Sequence, residues 1–159
     1  MNAPIDLDDL VLGELIWAAS KSMLSGLAIL VVVWLLGLCS SPLALWVLPL
    51  IFLVGLTFAA LGLIVTAVAP SYDFFMYYFT LLITPMVLIS GVFFPADQLP
   101  EAIRGVARAL PLWHAVELAR PLMSGNPPQG VVVHLGALWG YLVVAYLVAL
   151  ALARRRLLS

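Results

Sequence analysis

The chain has 159 residues, 65% of them hydrophobic and 9% charged, with a mean hydropathy of +1.17. Soluble domains run near about 45–50% apolar and about 25% charged, so this composition excludes a soluble domain and indicates an integral membrane protein. The net charge of −1 and seven basic residues that form no basic face leave no footprint for a nucleic-acid partner.

Residues 1–20 (MNAPIDLDDLVLGELIWAAS) are amphipathic rather than membrane-spanning. Leu7, Leu10, Val11, Glu14, Leu15 and Ala18 mark one helical stripe. Asp6, Asp8 and Asp9 cluster at its start, where carboxylates suit the helix dipole and free N–H groups. Helices that lie on anionic lipid carry Lys and Arg on the polar face, whereas this one carries acids. It reads equally as a helix that docks on a protein or as a helix start with solvated acids. With four acids and no base in these residues, no cleavable leader is expected.

Four apolar runs follow, at about 22–39, 43–68, 74–94 and 131–153, each near the ~20 residues that a spanning helix needs. Ser40-Ser41-Pro42 turns the chain after the first. The second carries Gly55, Ala59 and Gly62, a strip of small residues for close helix contact. Ala69 to Asp73 is a tight turn, and Pro85 predicts a kink in the third run. The fourth stops at Arg154-Arg155-Arg156. An even number of spans puts both termini on one side, and this basic stop assigns that side to the cytoplasm.

Between the third and fourth runs lies Thr84–Gly125, punctuated by Pro95, Pro100, Pro111 and Pro121. It predicts two short helices at the membrane interface or dipping into it. Ile103, Val106, Ala107 and Leu110 form the apolar face of the first. The second would turn Leu112, Ala115, Val116, Ala119, Leu122 and Met123 inward and keep His114, Glu117 and Arg120 on its polar side. A charge in such a partly dehydrated site is costly alone, so Glu117 and Arg120 should pair with each other or with a span end.

Chemistry-bearing constellations are sparse. No phosphate-cradling glycine loop or Walker-type lysine is present, so the chain does not hydrolyse nucleotide by itself. His114, Glu117 and the distant His134 lack a dependable further ligand, and a hydrogen-bonding polar face is the better reading than a metal site. Ser90 before Gly91 reads as a helix end rather than a nucleophile. The single Cys39 makes no internal disulfide and reads as a small apolar residue. No cofactor is implied.

The segments SGVFFPADQLP and LPLWHAVELARPLMSG resemble the membrane subunits of type-2 ABC exporters. LDDLVLGELIWAASK and APSYDFFMYYFTLLITPM are similar to the nodulation protein J group within that family. The resemblance implies an all-α integral membrane protein in the bacterial inner membrane, with four spans, an N-terminal coupling helix and an extracytoplasmic re-entrant helical hairpin. It implies export of an amphipathic substrate of lipo-oligosaccharide or polysaccharide type, driven by a separate ATPase subunit. Asp6–Trp17, with Asp6, Asp8, Asp9, Leu10 and Glu14, is cast as the coupling helix. Ser71, Tyr72 and Asp73 are cast as the second ATPase contact, and Leu99–Met123 as the re-entrant pair. Family members have six spans, and the first two have no counterpart here, so 1–159 is expected to be the C-terminal four spans of the domain. The expected partners are the ATPase, the bilayer, and a second permease copy or the missing N-terminal half. A small membrane enzyme using His114, Glu117 and Arg120 on a lipid headgroup, or a non-transporting assembly factor, are the competing readings. The exposed aromatics of the third run suit acyl chains or an interfacial belt equally.

Overall fold

The computed structural model describes residues 7–39, 41–94 and 98–158. These residues are mostly helical, with no strand among them. The first helix, α1, runs unbroken over Leu7–Leu35. A short 3-10 segment, Pro42–Trp46, leads into α2, Val47–Val68. Next come α3, Asp73–Tyr78, a π-turn at Phe79–Ile83, and α4, Thr84–Ile89. Two shorter helices, α5 (Glu101–Arg108) and α6 (Pro111–Met123), precede the last helix, α7 (Val131–Leu158).

The N-terminal segment expected to stand apart as a coupling helix is the first part of α1, continuous with the first apolar run. No proline or glycine intervenes between Trp17 and Met23. Ser20 and Ser22 instead fold their hydroxyls back onto the carbonyls of Ile16 and Ala18, at 2.7 and 3.1 Å. The buried stripe is Val11, Leu15 and Ala19, at i, i+4 spacing, while Leu10 and Glu14 point outward. The helix ends earlier than the apolar run does. Gly37 adopts φ +70°, and the Leu38 and Gly37 amides bond the carbonyls of Val33 and Trp34, closing a Schellman cap.

Among the described residues, three helices are long and apolar enough to cross a membrane, at Asp8–Leu35, Pro42–Val68 and Val131–Arg155. The expected third run differs: its helical part is the shorter rod Asp73–Ile89. It stops short of Phe94 because Gly91 takes φ +82°. Pro85 acts one turn upstream of itself. It has no N–H and would crowd a preceding carbonyl, and the π-turn before it opens the rod, with Thr84 Oγ1 donating to the Phe79 carbonyl at 3.0 Å.

Small residues bring α1 and α2 together. A Cβ on Gly55 would lie 3.0 Å from Ser22 Cβ and 3.1 Å from Ala19 Cα, and one on Gly26 would meet the Ile51 side chain. These contacts run antiparallel, so the end of α2 lies level with the start of α1. Helix α7 descends alongside α2, with Leu138 fully buried beside Thr57. The Thr57 hydroxyl donates to the Leu53 carbonyl at 2.9 Å and lies 3.5 Å from that of Leu138. Both ends of the described chain therefore sit at one end of the bundle. The Leu36–Cys39 segment that ends α1 and the α6–α7 turn occupy the other.

The α5–α6 pair differs from expectation in what it buries. On α5 only Ala107 is buried, and Ile103 and Val106 face outward. On α6, Trp113 and Leu118 join Pro111, Ala115 and Leu122 in the interior. Leu118 and Leu122 belong to the same core as Leu50, Leu53 and Leu142. Helix α6 thus packs against α2 and α7 rather than lying flat over the bundle's end.

Candidate functional site

The residues singled out from the sequence fall into two sets at opposite ends of the bundle. At the terminal end, Asp8 and Asp9 occupy the first turn of α1. Asp8 accepts from Nη2 of Arg154 at 2.9 Å to both carboxylate oxygens. Asp9, Leu10 and Glu14 are exposed. Asp6 lies outside the described residues. The Pro70–Asp73 turn shares this end, because α2 runs antiparallel to α1. Ser71, Tyr72 and Asp73 are all exposed there, and the Ser71 and Tyr72 carbonyls accept from the Phe74 and Phe75 amides at 3.2 and 3.0 Å.

At the other end, Pro111 takes the first helical position of α6, where its missing N–H costs nothing, and Pro100 immediately precedes α5. Pro95 lies outside the described residues. His114, Glu117 and Arg120 do follow one side of α6, but they do not converge on one another. Arg120 turns to the Gly91 carbonyl at the end of the α3–α4 rod, so of its two expected partners it takes the span end rather than Glu117. His114 Nδ1 lies 2.8 Å from Nδ1 of His134 in the first turn of α7, with ring centroids 5.1 Å apart. Burial and the neighbouring His134 hold the His114 pKa below the ordinary histidine value, against the opposite pull of the Arg108 backbone and Glu117.

Glu117, Arg120 and His134 line an open polar cavity of about 730 Å³, with Ser124, Asn126 and Gln129 from the α6–α7 turn. On the far side of α6, Leu118 and Leu122 line an apolar cavity of about 400 Å³ with Leu50, Leu53 and Leu135. The turn Pro127 belongs to both. Further hydrogen bonds fix α6 and the residues leading into it. The Tyr141 hydroxyl donates to the Ala109 carbonyl, the Cys39 thiol donates to the Met123 carbonyl at 3.2 Å, and Gly125 (φ +77°) closes the helix in a second Schellman cap. Among the described residues no three or more His, Cys, Asp or Glu side chains gather as a metal-binding group.

Sequence reasoning held His134 only as a distant member of a rejected metal set. It did not foresee the Gly91 carbonyl, Tyr141 or Cys39 as anchors of α6. The one available signal was that the chain has two histidines, one on each side of a short turn. Backbone carbonyl partners leave no trace in residue identities.

The amino-acid sequence matches a known family over most of its length. The profile of the family described as "ABC-2 type transporter" covers residues 1–124. The chain belongs to the ABC-2 type transporter family. It is a segment of an ABC-2 type membrane protein, embedded in the membrane by its apolar helices. It is 50% identical over 150 residues to Nodulation protein J of Rhizobium leguminosarum bv. viciae, covering 94% of this chain and 58% of that protein. To Nodulation protein J of Rhizobium meliloti (strain 1021) it is 48% identical over 158 residues, covering 99% and 60%. A more distant Nodulation protein J, from Azorhizobium caulinodans, is 33% identical over 118 residues, covering 74% and 46%. The chain thus spans about three fifths of the length of its more similar relatives. No solved structure matches it.

Proposed function

We propose that this ABC-2 permease segment forms part of the membrane pathway of an exporter in a bacterial inner membrane, with both termini cytoplasmic. Its cargo is an amphipathic molecule of lipo-oligosaccharide or polysaccharide type, and a separate ATPase subunit drives it. The observation that carries this reading is the two-ended distribution of polar groups. Acidic and exposed residues of α1 (Asp9, Leu10, Glu14) share one end with the Ser71-Tyr72-Asp73 turn, and the α5–α6 pair with its polar cavity stands at the other. An ATPase docking at the first end would push on α1, which is continuous with a membrane-crossing helix, so motion there reaches the bundle without a hinge.

In this reading the rod Asp73–Ile89 makes the fourth crossing, its length of ~25 Å extended by the turn residues to Phe94. The α5–α6 pair is the re-entrant cap of the exit path, with Pro95, Pro100 and Pro111 setting its bends. His114, Glu117 and Arg120 line the way out. A second permease copy, or the half found in the longer relatives, completes the pathway.

A chimera tests the proposal. Residues 7–158 of this chain replace the matching part of a full-length Nodulation protein J, and export by the host is measured with its ATPase present. Retained export supports the reading. A chimera that inserts, binds the ATPase and exports nothing rejects it for this segment. In an exporting chimera, Glu117→Ala should lower export without lowering permease level or ATPase binding. Unchanged export in a Glu117→Ala, Arg120→Ala double variant removes the exit-cap role.

A further inference from the structure

The closest polar contact between α6 and α7 is one between two imidazoles. His114 Nδ1 and His134 Nδ1 stand 2.8 Å apart, a distance that needs one nitrogen to donate and the other to accept. Two neutral rings can do this, and so can one neutral ring with one imidazolium. Two imidazolium rings cannot, because both nitrogens then donate and two like charges face each other at about 3 Å.

The other charged or titratable groups near the pair are few. On α6, Glu117 and Arg120 line the cavity that His134 also lines, and Arg120 is already bonded to the Gly91 carbonyl. From α5 it is the Arg108 backbone, not its guanidinium, that acts on His114. On α7 the nearest titratable group, Tyr141, is bonded to the Ala109 carbonyl. Helices α2 and α4 and the turn 124–130 contribute no titratable side chain. Glu117 is thus the one acidic group available to offset a second proton, and it sits on the same helix as His114. Glu117 lines the same cavity as His134 and can offset an added charge, but two facing Nδ1–H donors still have no acceptor between them.

We propose that the His114–His134 pair is a proton-operated latch, closed when one proton lies between the facing nitrogens and released when both rings are protonated. Release frees the first turn of α6 from α7 near the polar cavity that His134 lines, which supplies the protons. Helix α6 then keeps its apolar packing, the Arg120–Gly91 bond and the Cys39–Met123 bond, and loses its side-chain hydrogen bond to α7. The depressed pKa of His114 agrees with this: the closed state favours the neutral ring, and its stabilisation is present above the ordinary histidine range and lost as pH falls.

The chain carries its own reporter. Cys39 is its single cysteine, 3% exposed, and its thiol bonds the last carbonyl of α6. The full chain in lipid nanodiscs is reacted with 4,4′-dithiodipyridine, which attacks thiols in mild acid, and the rate is divided by that of the denatured chain at the same pH. Protection of Cys39 is expected to fall at least about tenfold between about pH 7.5 and about pH 5. His114→Gln and His134→Gln should each remove that dependence. An equal acid loss in both variants, or none in the unaltered chain, overturns the latch. If the variants fail to fold, 15N-histidine spectra of the unaltered chain decide. A second proton taken up only at clearly lower pH than the first supports the latch, and two independent ordinary titrations reject it.

Discussion

Arg154 donates through one guanidinium nitrogen to both oxygens of Asp8, joining the first turn of α1 to the last part of α7. The pair is roughly half-exposed on each side, so its electrostatic contribution is small and screened by salt. Its consequence is for assignment rather than stability. Asp8 is already engaged within the chain, which leaves Asp9 and Glu14 as the exposed acids of α1 that an ATPase could meet.

Asp9→Lys with Glu14→Lys should therefore abolish co-purification with the ATPase subunit while membrane insertion is unchanged. Asp8→Asn alone should weaken it far less. If Asp8→Asn is the more damaging, the Asp8–Arg154 contact is itself part of the docking surface.

The two sets of polar groups lie at opposite ends of the bundle, and that separation is open to labelling from outside. Gln129 is exposed in the α6–α7 turn, and a cysteine there should react with an impermeant maleimide in intact cells, in a Cys39→Ala background. A cysteine at Ser159 should not react until the membrane is opened. Gln129 suits this better than Gly125, whose left-handed φ of +77° and contact with Ser41 would disturb the turn when substituted. The reverse labelling pattern would invert the topology and move the proposed ATPase contacts outside.

Close approach of α1 and α2 depends on Gly55. Gly55→Val has to displace Ser22 or the Ala19 backbone and should destabilise the bundle by about 1–3 kcal/mol, with a lower melting temperature in detergent. Gly62→Ala, which meets nothing within 4 Å, should change little. Equal effects at the two positions would mean that the seam is not set by glycine packing.

The shared core of α2, α6 and α7 gives a second stability test. Leu138 is fully buried and Leu118 is 2% exposed. Truncating either to Ala should cost about 2–5 kcal/mol, because the cavity left behind is lined from three helices and cannot collapse easily. A negligible cost at Leu118 alone would show that α6 is only loosely seated.

The apolar lengths of the spans near 43–68 and 131–153 are visible in the chain, because burying a hydrogen-bonded backbone in lipid needs only composition and length. The proline positions ahead of α5 and α6 are equally local, since they follow from a missing N–H and a restricted φ. The family is legible too, in segments such as LPLWHAVELARPLMSG that carry its pattern in order. What local patterning could not supply was which side of each helix finds a neighbour. In a membrane both lipid and protein reward apolar side chains, so hydrophobic periodicity does not single out the packed face. Ile103 and Val106 consequently face outward although their spacing marks a stripe, while Trp113 and Leu118 are buried. The continuity of α1 was not legible either, and the pairing of His114 with His134 and the Gly91, Ala109 and Met123 carbonyls that hold α6 and its neighbours arise between residues 20 to 84 apart in sequence. Only α1 among these is a local matter, and there the deciding term was again tertiary: Val11, Leu15 and Ala19 bury on the bundle itself, which holds the amphipathic turn in line with the helix that follows.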